Sequence, residues 1–104
     1  MQVPLQVSFR NIEKSDALDA RIRAEANRLE RFHPRIERCR VIVEETQARH
    51  HVQGRAFAVR IEIRMPAREL LAGAEEADVY VAVRDAFTDM RRQLDHIAKE
   101  RQLS

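Results

Sequence analysis

The groups in this chain best suited to chemistry are its guanidiniums, and their spacing is helical. Arg21 and Arg28 stand seven residues apart, Arg84 and Arg91 repeat that interval, and Arg92 and Lys99 repeat it again. Seven residues is close to two helical turns, so each pair falls on one side of its helix. Arginine's planar fork binds phosphate oxygens two at a time, which is the chemistry expected of such rows. Of the 19 basic residues, 17 are arginines and only Lys14 and Lys99 are lysines, yet the formal net charge is only +2. Codon bias alone can produce that preference, so distribution must decide whether a nucleic acid is bound. The plain alternative is that these arginines pair with Glu25, Asp85, Asp89 and Asp95.

Catalytic chemistry finds little support. Two glycines exclude a phosphate-cradling glycine loop. Ser8, Ser15 and Ser104 lie in no nucleophile-elbow motif. Cys39 falls in an apolar-alternating stretch, where a core thiol is expected and a nucleophile is not. His50 and His51 are adjacent, so in a strand they would point to opposite faces. No second ligand pair has suitable spacing, and no metal site is expected. Asp78 with Tyr80 is a conceivable proton-handling couple, but a tyrosine in the first turn of a packed helix is usually structural. Neither an enzyme nor a cofactor is expected.

The elements that must position the arginines follow from periodicity. Val79, Val83, Ala86, Phe87, Met90, Leu94 and Ile97 recur at steps of three and four, marking one buried stripe on a long helix. At ~100° per residue, Arg92 and Lys99 lie opposite that stripe and Arg84 and Arg91 share one flank. An earlier helix runs from about Asp16 to Phe32, capped by Ser15, with Asp16 and Asp19 near its positive end. It stops before Pro34. Leu18, Ile22, Ala26, Leu29 and Phe32 form its inner face, while Arg21 and Arg28 share a flank. Strands are read at Val3–Phe9, Ile36–Thr46, Phe57–Met65 and Glu69–Glu75. Gln47–Gly54 is polar, carries a glycine and reads as a mobile hairpin connection, and Pro66-Ala67 is a turn.

The order strand, helix, three strands, helix, with each helix apolar on one side, favours an α+β two-layer sandwich. Both helices then cover one face of a four-stranded sheet. The 104 residues are expected to be one domain. Hydrophobic content of 44% and charged content of 35% suit a soluble protein with a heavily charged surface. Nothing approaches the ~18 apolar residues of a membrane span, and the N-terminus lacks a signal-peptide pattern. Cytoplasm is the expected location, and a single cysteine agrees with a reducing compartment. Phe9, Phe32, Phe57 and Phe87 all fall on core faces, so aromatic stacking platforms are not expected and RNA would be held by backbone and shape.

Several segments resemble the ribosome hibernation promoting factor and ribosome-associated translation inhibitor family. Asn11–Leu18 (N-I-E-K-S-D-A-L) is similar to its loop into the first helix, and Arg28–Phe32 (R-L-E-R-F) to its basic-Leu-Glu-x-aromatic helix end. The most specific match is A-x-A-E-x-x-D-x-Y-x-A-[IV] at Ala72–Val83, followed by R-Q-L at Arg92–Leu94. The resemblance covers essentially the whole chain, residues 1–104, and implies a double-stranded-RNA-binding-domain-like fold.

It further implies a translation-silencing factor of idle, stressed cells that binds the ribosomal RNA backbone of the small subunit's decoding region. No membrane or small-molecule substrate is implied. No C-terminal domain of the kind by which long members pair ribosomes is expected here, and the resemblance implies that a short member acts alone or beside a partner dimerising factor. The expected RNA-binding residues are Arg21, Arg28, Arg84, Arg91, Arg92, His96 and Lys99. Glu25, Asp89, His96 and Ala98 stand at positions that are usually basic in the family. Each acid there removes a phosphate partner and adds repulsion. That motivates an alternative, a diverged member that regulates through protein contacts.

Overall fold

A computed structural model of the chain describes residues 3–47 and 55–103. Of the expected connection Gln47–Gly54, Gln47 is the last residue of a strand, and residues 48–54, with His50 and His51, lie outside the described residues. The elements are β1 (Leu5–Arg10), α1 (Asp16–Phe32), β2 (Arg38–Gln47), β3 (Arg55–Met65), β4 (Arg68–Glu76) and α2 (Val79–Leu103). The sheet runs β1-β2-β3-β4. β1 pairs parallel with β2, and the other neighbours are antiparallel. A parallel pair needs a crossover, and α1 supplies it.

Register aligns Val7 with Val41, Val41 with Ile61, and Ile61 with Ala72. These residues share one sheet face and join a single core with Leu18, Ile22 and Leu29 of α1 and Val83, Met90 and Leu94 of α2. Both helices therefore cover the same face of a mixed four-stranded sheet, as the α+β two-layer expectation held. Ile42 is also buried, but on the opposite face, outside that core and flanked in register by Ser8 and Arg60.

Local chemistry sets the helix ends. The Ser15 hydroxyl accepts from the Leu18 amide at 3.2 Å, and Asp16 and Asp19 occupy the first turn of α1. At its other end the His33 amide donates to the Leu29 carbonyl at 2.8 Å, directly ahead of Pro34. Asp78 caps α2: its carboxylate accepts from the amides of Tyr80 and Val81 at 2.8 and 3.3 Å. That use of Asp78, beside a Tyr80 that is 44% exposed, leaves a helix cap where a proton-handling couple was conceivable.

The long helix runs to Leu103, four residues past Lys99. No proline or glycine follows Ile97, and Lys99 to Leu103 are all good helix formers. α2 is tied to the sheet's outer edge by Gln93, whose amide donates to the Leu71 carbonyl of β4 at 2.8 Å. On an edge strand such a carbonyl has no strand to pair with, so the side chain takes the place of a missing neighbour.

Candidate nucleic-acid interface

α1 and α2 lie side by side, and between them runs a cleft of ≈ 580 Å³. Arg21 and Arg28 line it from α1, and Arg84 and Arg91 from α2. The two flanks that carry the seven-residue spacing therefore meet. Arg92, His96 and Lys99 are exposed but do not line the cleft. They occupy the side of α2 turned away from the sheet, as their angular position requires.

The cleft is cationic with acidic interruptions: four guanidiniums face two carboxylates, Glu25 and Asp95. Arg21 Nε is 3.6 Å from Glu25 Oε1, and Arg84 Nη2 is 3.1 Å from Asp85 Oδ1. Asp95 is engaged by His33, whose Nε2 lies 3.1 Å from its Oδ1. Arg28 and Arg91 have no carboxylate within ion-pair distance among the described residues. Within the cleft, those two are the cations free to accept an external anion. Asp85 also approaches Glu76 at the end of β4. A hydrogen bond between the two carboxyls pushes Glu76 above the usual range; the same bond, then Arg84, holds Asp85 below it.

The uncovered face of the sheet is organised differently. Glu62 is held by Arg60 at 2.6 Å and by Arg40 at 3.6 Å, and Arg64 bridges Glu69 at 2.8 Å and Glu37 at 3.9 Å. The Arg60 hydrogen bond leads in drawing Glu62 below the ordinary glutamate range. Here Arg40, Arg60 and Arg64 are spent on neighbouring carboxylates. The fate expected of the helix arginines, pairing with nearby acids, falls on Arg21 and Arg84 and spares Arg28 and Arg91. His96 pairs with Glu100 at 3.1 Å.

Phe32 departs from expectation. It is 67% exposed and lines the cleft, whereas Phe87 is buried and Phe9 packs against the core. The reason is angular: Phe32 is four residues past Arg28 and eleven past Arg21, about 40° and 20° from them on the wheel. It therefore belongs to the arginine flank and only grazes the buried stripe. Its position relative to those arginines was the available signal. His33, which closes one end of the cleft, carried none, because its contact with Asp95 spans 62 residues.

Among the described residues no cluster of histidine, cysteine, aspartate or glutamate could hold a metal ion, and no helix is long and apolar enough to cross a membrane. Cys39 is buried against the core, and burial pushes its thiol up to about 12.

Residues 5–102 match the family described as Sigma 54 modulation protein / S30EA ribosomal protein. No curated protein matches the chain. Among solved structures, a ribosomal subunit interface protein from Coxiella burnetii superposes with a TM-score of 0.80 at 18% identity, over 93% of this chain and 99% of that one. The N-terminal domain of Protein Y from Thermus thermophilus superposes with a TM-score of 0.69 at 22% identity, over the same shares. At such identities the likeness to these two is one of fold.

Proposed function

The chain belongs to the Sigma 54 modulation protein / S30EA ribosomal protein family of non-enzymatic, ribosome-associated hibernation factors, and we propose that it occupies the decoding region of the small subunit and silences translation there by steric exclusion. One observation carries this reading: the arginine flanks of α1 and α2 adjoin, with Arg28 and Arg91 left free of carboxylates among the described residues. Arg21, Arg28, Arg84 and Arg91 bind ribosomal RNA phosphates along the cleft. Arg92, His96 and Lys99 form a second row on the outer side of α2. The domain works in the cytoplasm, alone or beside a separate factor that pairs ribosomes.

Cosedimentation with small ribosomal subunits across a salt series tests it. Four phosphate contacts predict a log–log salt slope of about −3 to −4, and Arg28→Glu with Arg91→Glu should abolish binding at moderate salt. Absence of the unmodified protein from ribosomal fractions at low salt would overturn the proposal and favour regulation through protein contacts.

A further inference from the structure

The cleft holds more than charge. Phe32, 67% exposed, offers a ring face within a site lined by four guanidiniums, above a floor formed by Leu29 and Phe87. An isolated exposed phenylalanine is unremarkable on a protein surface. One set among arginines combines the two groups by which proteins hold unpaired nucleotides, an aromatic platform and phosphate-binding cations. Arg28 lies one turn before Phe32 on the same helix face, so its guanidinium stands beside a base resting on the ring, within reach of that nucleotide's phosphate.

We infer that the cleft seats one unstacked nucleotide of a single-stranded RNA segment, its base on Phe32 and its flanking phosphates on Arg28 and Arg91. The inference rests on the nucleic-acid reading of this site and deepens it. A strand fits better than a free nucleotide for reasons of length. Arg21 and Arg28 are separated by about 10 Å along α1, and Arg84 and Arg91 repeat that separation on α2. Those cations reach phosphates on both sides of the seated base. The cleft volume of ≈ 580 Å³ lies within the range of small-ligand pockets. A duplex keeps its bases stacked and has none to offer.

The test uses the full chain with three probes: a short single-stranded RNA carrying 2-aminopurine at its centre, the same RNA as a duplex, and free 2-aminopurine ribonucleoside monophosphate. The expected result is a strong rise in fluorescence of the single strand at low salt, as its central base leaves its stacked neighbours, no rise in the duplex, and much weaker binding of the monophosphate. Phe32→Ala should weaken single-strand binding about tenfold and leave duplex binding unchanged, while Phe32→Tyr retains it. Phe32 is too exposed for its truncation to endanger folding, and circular dichroism checks that. Equal affinity of Phe32→Ala and the unmodified protein for the single strand would overturn the inference, as would equal affinity for strand and monophosphate. Cosedimentation run in parallel separates the two readings. Ribosome binding with no Phe32 effect on the strand sinks the nucleotide seat alone, whereas the fluorescence rise of the strand without ribosome binding sinks the decoding-site role alone.

Discussion

His33 Nε2 lies 3.1 Å from Asp95 Oδ1, a contact that spans 62 residues and joins the C-terminal cap of α1 to the middle of α2. The His33 side chain is largely enclosed, while Asp95 is 59% exposed. The pair closes one end of the cleft, and it also leaves a carboxylate beside cations that are meant for phosphate. Asp95→Asn keeps an oxygen to accept from His33 and removes the charge. One charge a few ångströms from a phosphate in water is worth about 1 kcal/mol. The substitution should therefore tighten binding to small subunits roughly fivefold at low salt, with no change in thermal midpoint. Unchanged or weaker binding would show that Asp95 does not face the RNA.

Arginines on the two faces of the molecule should behave differently. Arg28 has no carboxylate partner among the described residues, whereas Arg60 is committed to Glu62 through two hydrogen bonds. Arg28→Ala should reduce the salt slope of ribosome binding by about one unit. Arg60→Ala should leave both slope and affinity as they are. Equal losses from the two variants would place the RNA contact outside the cleft.

Glu62 provides a titration that reports on the sheet's open face. Arg60 first, then Arg40, hold its carboxyl below the ordinary value of 4.5 against the opposing effect of burial. A depressed carboxylate contributes stability that is present above its ordinary pKa and is lost as pH falls through the folded-state value. Because the group is only partly buried and stays in contact with solvent, the effect on stability is small. Carboxyl titration by NMR is the sharper measurement: Arg60→Ala should move Glu62 back up toward 4.5. A Glu62 that titrates identically in both proteins would mean the ion pair is absent in solution.

How much of this was legible beforehand depended on whether a feature was local. The bounds of α1 were readable because Ser15 caps one end and Pro34 forbids the other. The end of α2 was not, since nothing after Ile97 breaks a helix. Ile36 looked like strand because it is apolar; it is buried, but its amide turns back to the His33 carbonyl at 3.2 Å and the strand begins at Arg38. The arginine rows could be seen in their spacing. Whether they would face each other could not, because that depends on where two helices settle across a sheet. Phe32 was assigned to the core because it borders the buried stripe, although its angle, about 20° and 40° from Arg21 and Arg28, already placed it on their flank.

The thiol of Cys39 should be inert in the native protein. It sits on the core face in register with Leu5, and burial raises it from the ordinary value of 9.0 to about 12. Thiolate is the reactive form, so very little is available near neutral pH. A raised thiol contributes stability that is intact below pH 9 and is lost as pH climbs toward the folded-state value. A thiol-reactive disulfide reagent at pH 8 should label the protein only as fast as the chain opens, and denaturant should make labelling immediate. Rapid labelling without denaturant would refute the buried placement.

The turn between β3 and β4 is the place where one substitution should stabilise the fold. Met65 and Arg68 pair across it, leaving Pro66 and Ala67 as its two central residues. Ala67 has φ 64, the left-handed region. Proline followed by a positive φ is the type II arrangement, whose second position favours glycine. The other positive-φ residue, Asn11 at 57, is of a type that tolerates the conformation. Alanine in that region costs about 1–2 kcal/mol, while glycine there adds freedom to the unfolded chain worth about 0.4–1 kcal/mol. Ala67→Gly should thus gain about 0.5–1 kcal/mol, raising the thermal midpoint by roughly 3–6 °C. Ala67→Val, with a branched side chain at the same φ, should lower it. A fall in midpoint for the glycine variant would mean that Ala67 bears no strain.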